Sequence, residues 1–212
     1  MPMIKILIAD DHFLFRKGLK QTINDNPGMV VAAEAVDGTQ AVDKIQSSDF
    51  DLAILDVSMP GPNIFDLIGQ VKAARPGMPV LVLTMHPENQ YAVRLFKAGA
   101  SGYLTKDVDE PILISAVRKI AKGGKYVSPS LADIMADTLG VDHERPVHEC
   151  LSDREFQVMV MLARGKAIGG IAWELNLGVS TISTYRSRIL SKTGLKTNAD
   201  IIQYALTHGL VP

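Results

Sequence analysis

The chain has 212 residues, 47% of them hydrophobic and 21% charged, with a net charge of −1. That length favours two domains over one, and the mixture is that of a folded protein rather than a disordered one. A single cysteine, Cys150, excludes an internal disulfide framework and a cysteine zinc site.

Short β-branched runs at Ile4–Ala9, Met29–Ala35, Leu52–Leu55, Val80–Thr84 and Ser101–Leu104 predict five strands. Between and after them, amphipathic segments near Phe13–Asn24, Thr39–Ser47, Ile64–Ala74, Asn89–Ala98 and Pro111–Ala121 predict helices. Strand runs without internal alternation are buried on both faces, so the expected fold is α/β: a doubly wound, five-stranded parallel sheet over residues 1–121. Gly123-Gly124 ends that pattern, and residues 122–147 are expected to form a linker with a short helix near Pro129–Leu139. His143, His148 and Cys150 have no recognised zinc spacing and belong to this tether.

Only helices follow. Ser152 and Glu155 form a capping box, and the apolar rhythm of Phe156, Met159, Val160 and Leu162-Ala163 carries the first helix to Gly165. A second is predicted near Ile168–Leu175, a third from a Ser180 cap to about Lys192, and a fourth over Asn198–Thr207. Two short helices joined by a tight turn make a helix-turn-helix, placing an all-α, four-helix domain over residues 148–212.

Charge is uneven. Residues 1–121 carry 12 Lys/Arg against 14 Asp/Glu, whereas residues 151–212 carry 7 against 4. A basic module on an acidic body points to a nucleic-acid partner. The apolar start meets Asp10-Asp11, unlike a signal peptide, and no apolar run approaches the roughly 20 residues of a membrane helix. A cytoplasmic protein without a membrane partner is expected.

In the parallel sheet, Asp10 and Asp11 at the end of the first strand and Asp56 at the end of the third are neighbours. Carboxylates that close repel, and Mg²⁺ or Mn²⁺ with oxygen ligands relieves the repulsion. Thr84 ends the fourth strand and Lys106 follows the fifth. The cleft then offers a metal, a nucleophilic carboxylate, a hydroxyl and an ammonium, the parts that accept and hold a phosphoryl group. On the third C-terminal helix, Thr181, Ser183, Thr184, Ser187 and Arg188 stay polar between the core positions Ile182, Ile189 and Leu190, as a helix entering a major groove requires.

Ile8-Ala9-Asp10-Asp11-His12, Leu55-Asp56-Val57-Ser58-Met59-Pro60-Gly61, Leu83-Thr84 and Gly102-Tyr103-Leu104-Thr105-Lys106 resemble the receiver motifs of two-component response regulators. Leu151-Ser152-Asp153-Arg154-Glu155 and the run from Gly165 to Leu195 resemble the LuxR-type DNA-binding domain of the NarL/FixJ class. The resemblance implies that Asp56 is the phosphoacceptor, with Asp10, Asp11, Asp56 and the Ser58 backbone carbonyl holding the metal. Lys106, Thr84 and Tyr103 would respond to the phosphoryl group, and His12 would be a loop residue. Tyr185, Arg188 and Lys192 would meet DNA phosphates.

The implied function is a transcription factor, not an enzyme. A sensor histidine kinase would switch it, and it would bind inverted-repeat DNA as a homodimer formed on phosphorylation. Three departures from the family pattern carry expectations. Ile64 stands where relatives usually have Gly, and a positive φ there would strain the loop. Gly169-Gly170 stand where relatives carry Lys-Glu, and two helix-interior glycines give up on the order of 2 kcal/mol. Gly178 stands near where a polar cap is usual. Two rivals stay open: an aspartyl-phosphate phosphatase, disfavoured by Ser58 in place of a second Asp, and a regulator that binds only proteins.

Overall fold

The computed structural model describes residues 3–139 and 146–211, so His143 and the polar stretch around it lie outside the described residues. The chain divides into two compact units, Met1–Asp133 and Ile134–Pro212.

In the first unit the elements run β1 (Ile4–Ala9), α1 (Phe13–Asn24), β2 (Met29–Ala35), α2 (Gly38–Ser47), β3 (Leu52–Leu55), α3 (Ile64–Ala74), β4 (Val80–Thr84), α4 (Glu88–Ala98), β5 (Gly102–Thr105) and α5 (Glu110–Ala121). All strand pairings are parallel, in the order β2-β1-β3-β4-β5. Every residue of β3 and β4 is buried, which is why those runs lack alternation. On one face Ile6, Ile8, Ile54 and Leu81 pack with Leu19 and Ile23 of α1 and with Leu113, Val117 and Ile120 of α5. The chain order reverses where β1 lies between β2 and β3, and a crevice opens there at the carboxyl ends of the strands.

The fifth strand starts one residue later than expected, at Gly102. A Cβ on Gly102 would stand 2.6 Å from Ile120 Cδ1 and 3.1 Å from Leu81 Cδ1, so only glycine lets α5 lie this close to β5. Beyond α5 the first unit continues through residues expected in the linker. Tyr126 N–H donates to Ser101 O, and the Ser128 and Ser130 hydroxyls donate to the Glu88 carboxylate.

The loop expectation at Ile64 is overturned. Asn63 caps α3 through its side chain, accepting from Phe65 N and Asp66 N, and Ile64 is the first helical residue, buried in the core. The positive φ of this loop falls at Gly61 (103°).

Next come α6 (Pro129–Leu139), which contains the division between units, and a 3-10 turn at Val147–Cys150. The second unit then holds α7 (Asp153–Ala163), α8 (Ile168–Glu174), α9 (Val179–Thr193) and α10 (Asn198–Thr207). Residues 155–163 of α7 are all buried, because α9 and α10 both pack against it. The predicted capping box at Ser152 is present, and Thr197 with Asp200 makes a second one. Between α8 and α9 the chain ends the first helix with Asn176 in the left-handed region (φ 52°), and Leu177 N–H donates to Ala172 O. The cap of α9 is Gly178, not Ser180, which lies inside the first turn. Gly169 and Gly170 occupy the first turn of α8, where backbone N–H groups lack intrahelical acceptors in any case. The expected loosening of a helix interior therefore does not apply.

Candidate functional site

Asp10 and Asp56 are the first residues after β1 and β3, and adjacent pairing of those strands brings their carboxylates into one cleft. Both are buried, 2% and 3% exposed, and both are held. Asp10 Oδ2 lies 2.6 Å and Asp56 Oδ2 2.9 Å from Lys106 Nζ. Val57 N–H donates to Asp56 Oδ1 at 2.7 Å, and His12 N–H to Asp10 Oδ1 at 2.8 Å. Lys106 is delivered by the end of β5, where its N–H donates to Thr84 O, and its ammonium lies 4.5 Å from the centroid of the Phe15 ring. Burial works against the charged form of Lys106, but hydrogen bonds and attraction to Asp10 and Asp56 outweigh it and raise its pKa above 10.5. The lysine is a fixed cation at neutral pH.

Asp11 stands at the mouth, more exposed than Asp10 and Asp56. With Asp10, Asp11 and Asp56 set against one ammonium, the cleft carries surplus negative charge, and carboxylate oxygens already in contact keep lone pairs for further ligands. That donor set fits a hard divalent cation.

Ser58 is exposed two residues after Asp56, its Oγ 3.1 Å from His86 Nε2. Thr84 is buried, and its Oγ1 accepts a long 3.4 Å contact from His86 N–H. Tyr103 is turned fully into the core, and its hydroxyl donates to His86 O at 2.8 Å. The structure thus sets Asp10, Asp56 and Lys106 in one group and Ser58, Thr84 and Tyr103 around His86, with the Lys106 N–H bond to Thr84 O joining the two.

It adds three. His12 Nδ1 lies 2.9 Å from Asp11 Oδ1, inside the acidic cluster rather than merely beside it. His86 touches Ser58, Thr84 and Tyr103 through three different groups. Arg16 is buried on α1; Nη1 donates to Asp10 O at 2.6 Å and Nε to Glu34 at 3.2 Å. Hydrogen bonding from Lys20, then attraction to Lys20 and Arg16, holds the Glu34 pKa low despite partial burial. Arg16 was legible: it precedes Leu19 by three residues and Ile23 by seven, a charge on the apolar stripe of α1.

In the second unit, α9 exposes Ser183, Thr184, Ser187, Arg188 and Lys192, with Thr181 and Tyr185 half-buried. Ser183 and Thr184 donate back to the helix carbonyls of Val179 and Ser180. Lys192 departs from the expected phosphate ligand: its ammonium lies 2.7 Å from Glu155 Oε2, the buried carboxylate of the α7 capping box. Burial alone would raise the Glu155 pKa, but bonds from Lys192 and from Ser152 lower it.

An acidic crevice on a doubly wound parallel sheet, followed by a helix-turn-helix unit, defines a receiver-type regulator. Residues 6–118 match the response regulator receiver domain, and residues 149–205 match the LuxR family of bacterial regulatory proteins. The chain belongs to the two-component response regulators of the NarL/FixJ class. It is 31% identical over 209 residues to the response regulator UvrY of Escherichia coli K12, spanning 98% of this chain and 96% of that one. It is likewise 31% identical over 211 residues to the response regulator GacA of Pseudomonas aeruginosa, spanning 99% and 98%. Among solved structures, RcsB of Salmonella enterica serovar Typhimurium, bound to promoter P1flhDC with the phosphomimetic BeF3−, matches with a TM-score of 0.70. The identity is 25%, over 96% of this chain and 98% of that one. No helix among the described residues is long and apolar enough to cross a membrane.

Proposed function

We propose that a sensor histidine kinase phosphorylates Asp56, and that this modification controls DNA binding by α9. The observation that carries the reading is the buried Asp56 carboxylate held by Lys106 beside Asp10 and Asp11. An Asp56 oxygen attacks the phosphorus of the kinase phosphohistidine, the P–N bond breaks, and the imidazole leaves with the electron pair. Asp10, Asp11, Asp56 and the Ser58 carbonyl would hold Mg²⁺ or Mn²⁺, which supplies positive charge to the phosphoryl oxygens. Lys106 exchanges its Asp56 contact for a phosphoryl oxygen. The Thr84 hydroxyl leaves its His86 contact to do the same, and Tyr103 responds in turn. Loss of the phosphoryl group by hydrolysis resets the protein, which acts as a cytoplasmic regulator rather than a metabolic enzyme.

Phosphorylated chains pair, and each copy sets α9 into one half-site of an inverted repeat. Thr181, Ser183, Thr184 and Ser187 face base edges, while Tyr185 and Arg188 lie toward phosphates and Lys192 stays with Glu155. The rival that binds only proteins rested on Gly169-Gly170 weakening the helix-turn-helix, and their first-turn placement removes its motive.

Treatment with acetyl phosphate and Mg²⁺ should retard the protein on a phosphate-affinity gel. The retarded band should vanish in Asp56→Ala or with chelator. Fluorescence anisotropy on inverted-repeat and scrambled duplexes should show preference for the repeat, strengthened by the phosphoryl donor. A band that survives Asp56→Ala, or equal affinity for both duplexes in all conditions, refutes the corresponding half of the reading.

A further inference from the structure

Resting on the reading of the Asp10, Asp11 and Asp56 cleft as a divalent-cation site, we propose that His12 is a further ligand of that cation. It turns the site toward transition-metal ions such as Mn²⁺ and Co²⁺. His12 is the N-cap residue of α1, yet its side chain makes no capping hydrogen bond. Its backbone N–H, 2.8 Å from Asp10 Oδ1, fixes the residue over the cleft, and the ring itself is 64% exposed. Nδ1 stands 2.9 Å from Asp11 Oδ1 and 3.3 Å from Asp10 Oδ1.

Those separations are the ones coordination asks for. Two ligands bound cis to an octahedral ion at about 2.1 Å lie about 3.0 Å apart, and a trans pair about 4.2 Å. The two His12 edges bracket the first value. One donor atom from each of Asp10, Asp11, His12 and Asp56 falls within 4.8 Å of all the others. Lys106 occupies the far oxygens, Asp10 Oδ2 and Asp56 Oδ2, and so leaves Asp10 Oδ1 turned toward His12. Mg²⁺ is a hard ion that takes oxygen and keeps its waters. Cobalt and the later divalent ions accept imidazole nitrogen readily, and manganese, though content with oxygen, stands at the start of the same affinity series for mixed nitrogen and oxygen sites. A nitrogen at this corner therefore adds little for Mg²⁺ and much for the softer ions.

Calorimetric titration of the full chain with Mg²⁺, Mn²⁺ and Co²⁺, before and after His12→Ala, measures the preference. The substitution is at an exposed ring without a capping bond, and circular dichroism verifies that the fold is kept. Mn²⁺ and Co²⁺ affinities should fall about tenfold or more, while that for Mg²⁺ stays within about twofold. Independently, the electron spin-echo envelope of the Mn²⁺ complex should carry nitrogen modulation in the wild type and none in His12→Ala. A wild-type complex without nitrogen modulation, or an unchanged Mn²⁺ to Mg²⁺ affinity ratio, overturns the assignment of His12. The double variant Asp11→Asn, Asp56→Asn tests the parent reading separately: if it binds Mg²⁺ as the wild type does, the cleft is not the cation site and both statements fall.

Discussion

Replacing Lys192 by Ala should destabilise the DNA-binding unit, because this lysine holds a carboxylate that the fold has buried. Glu155 is 2% exposed, and its Oε2 gathers three donors: Lys192 Nζ at 2.7 Å, Ser152 N–H at 2.8 Å and Ser152 Oγ at 2.9 Å. Breaking a fully buried pair typically gives up 3–5 kcal/mol. Here two donors remain and the lysine side chain is 43% exposed, so water can partly replace it. The expected loss is about 1–2 kcal/mol. For a domain of this size that lowers the melting point by roughly 4 to 16 °C. Differential scanning calorimetry of the full chain measures it on the transition of the C-terminal unit. Lys192→Arg should retain most of the stability.

The pH dependence follows with a definite sign. The Glu155 pKa is depressed below its ordinary value of 4.5, so its contribution is complete above that value and is lost as pH falls through the lower folded one. In Lys192→Ala the pKa rises back and that acid-side loss shrinks. A phosphate contact predicts something different: unchanged stability, and a salt slope of DNA binding flatter by about 0.9. A melting point within a degree of the wild type would refute the structural role and return Lys192 to the DNA.

Three further substitutions probe other elements. Arg16→Ala leaves the buried Asp10 carbonyl and Glu34 without their guanidinium, and urea denaturation should register a loss of about 1–3 kcal/mol that Arg16→Lys only partly restores. Gly102→Ala drives a methyl against Ile120 and Leu81, and should destabilise the receiver unit by about 1–3 kcal/mol in the same assay. Gly170→Glu adds a side chain into open space and an acid to the first turn of α8, so the melting point of the C-terminal unit should rise, by the equivalent of about 0.3–1 kcal/mol.

Legibility in the sequence followed the range of the interaction. The strand runs and the amphipathic helices were readable because burial on one or two faces imposes a period on neighbouring residues. The capping box of Ser152 and Glu155 was readable because its partners are three residues apart. The start of α9 was misread since Ser180 is the usual cap type, whereas the backbone turns at Gly178 after the Asn176 termination of α8. Ile64 was suspected of strain because a residue type was compared without its dihedral, and the loop places its positive φ at Gly61 instead. Lys192 and Glu155 are 37 residues apart, and no local pattern announces that a cation on one helix will neutralise the cap of another. His12 was set aside as a loop residue because ring direction is invisible in a string of letters.

His86 is the residue whose absence from the sequence reading matters most for how the receiver would switch. Its N–H faces Thr84 Oγ1, its carbonyl accepts from Tyr103, and its ring reaches Ser58. One residue thus ties the loop after the phosphoacceptor, the end of β4 and the buried tyrosine of β5. The weakest of these contacts is the one to Thr84, at 3.4 Å, and the strongest is the one from Tyr103, at 2.8 Å. A phosphoryl group that draws the Thr84 hydroxyl away gives up little there, but it removes one restraint on the peptide that anchors the Tyr103 hydroxyl. Tyr103 is fully buried, so its hydroxyl cannot lose that acceptor without finding another or moving toward solvent. The same peptide leads through Pro87 directly into α4, whose first residue, Glu88, holds Ser128 and Ser130 of the segment leaving the receiver. A displacement at His86 would therefore pass to the start of α4 by covalent continuity and to the exit segment through two hydroxyls held on one carboxylate.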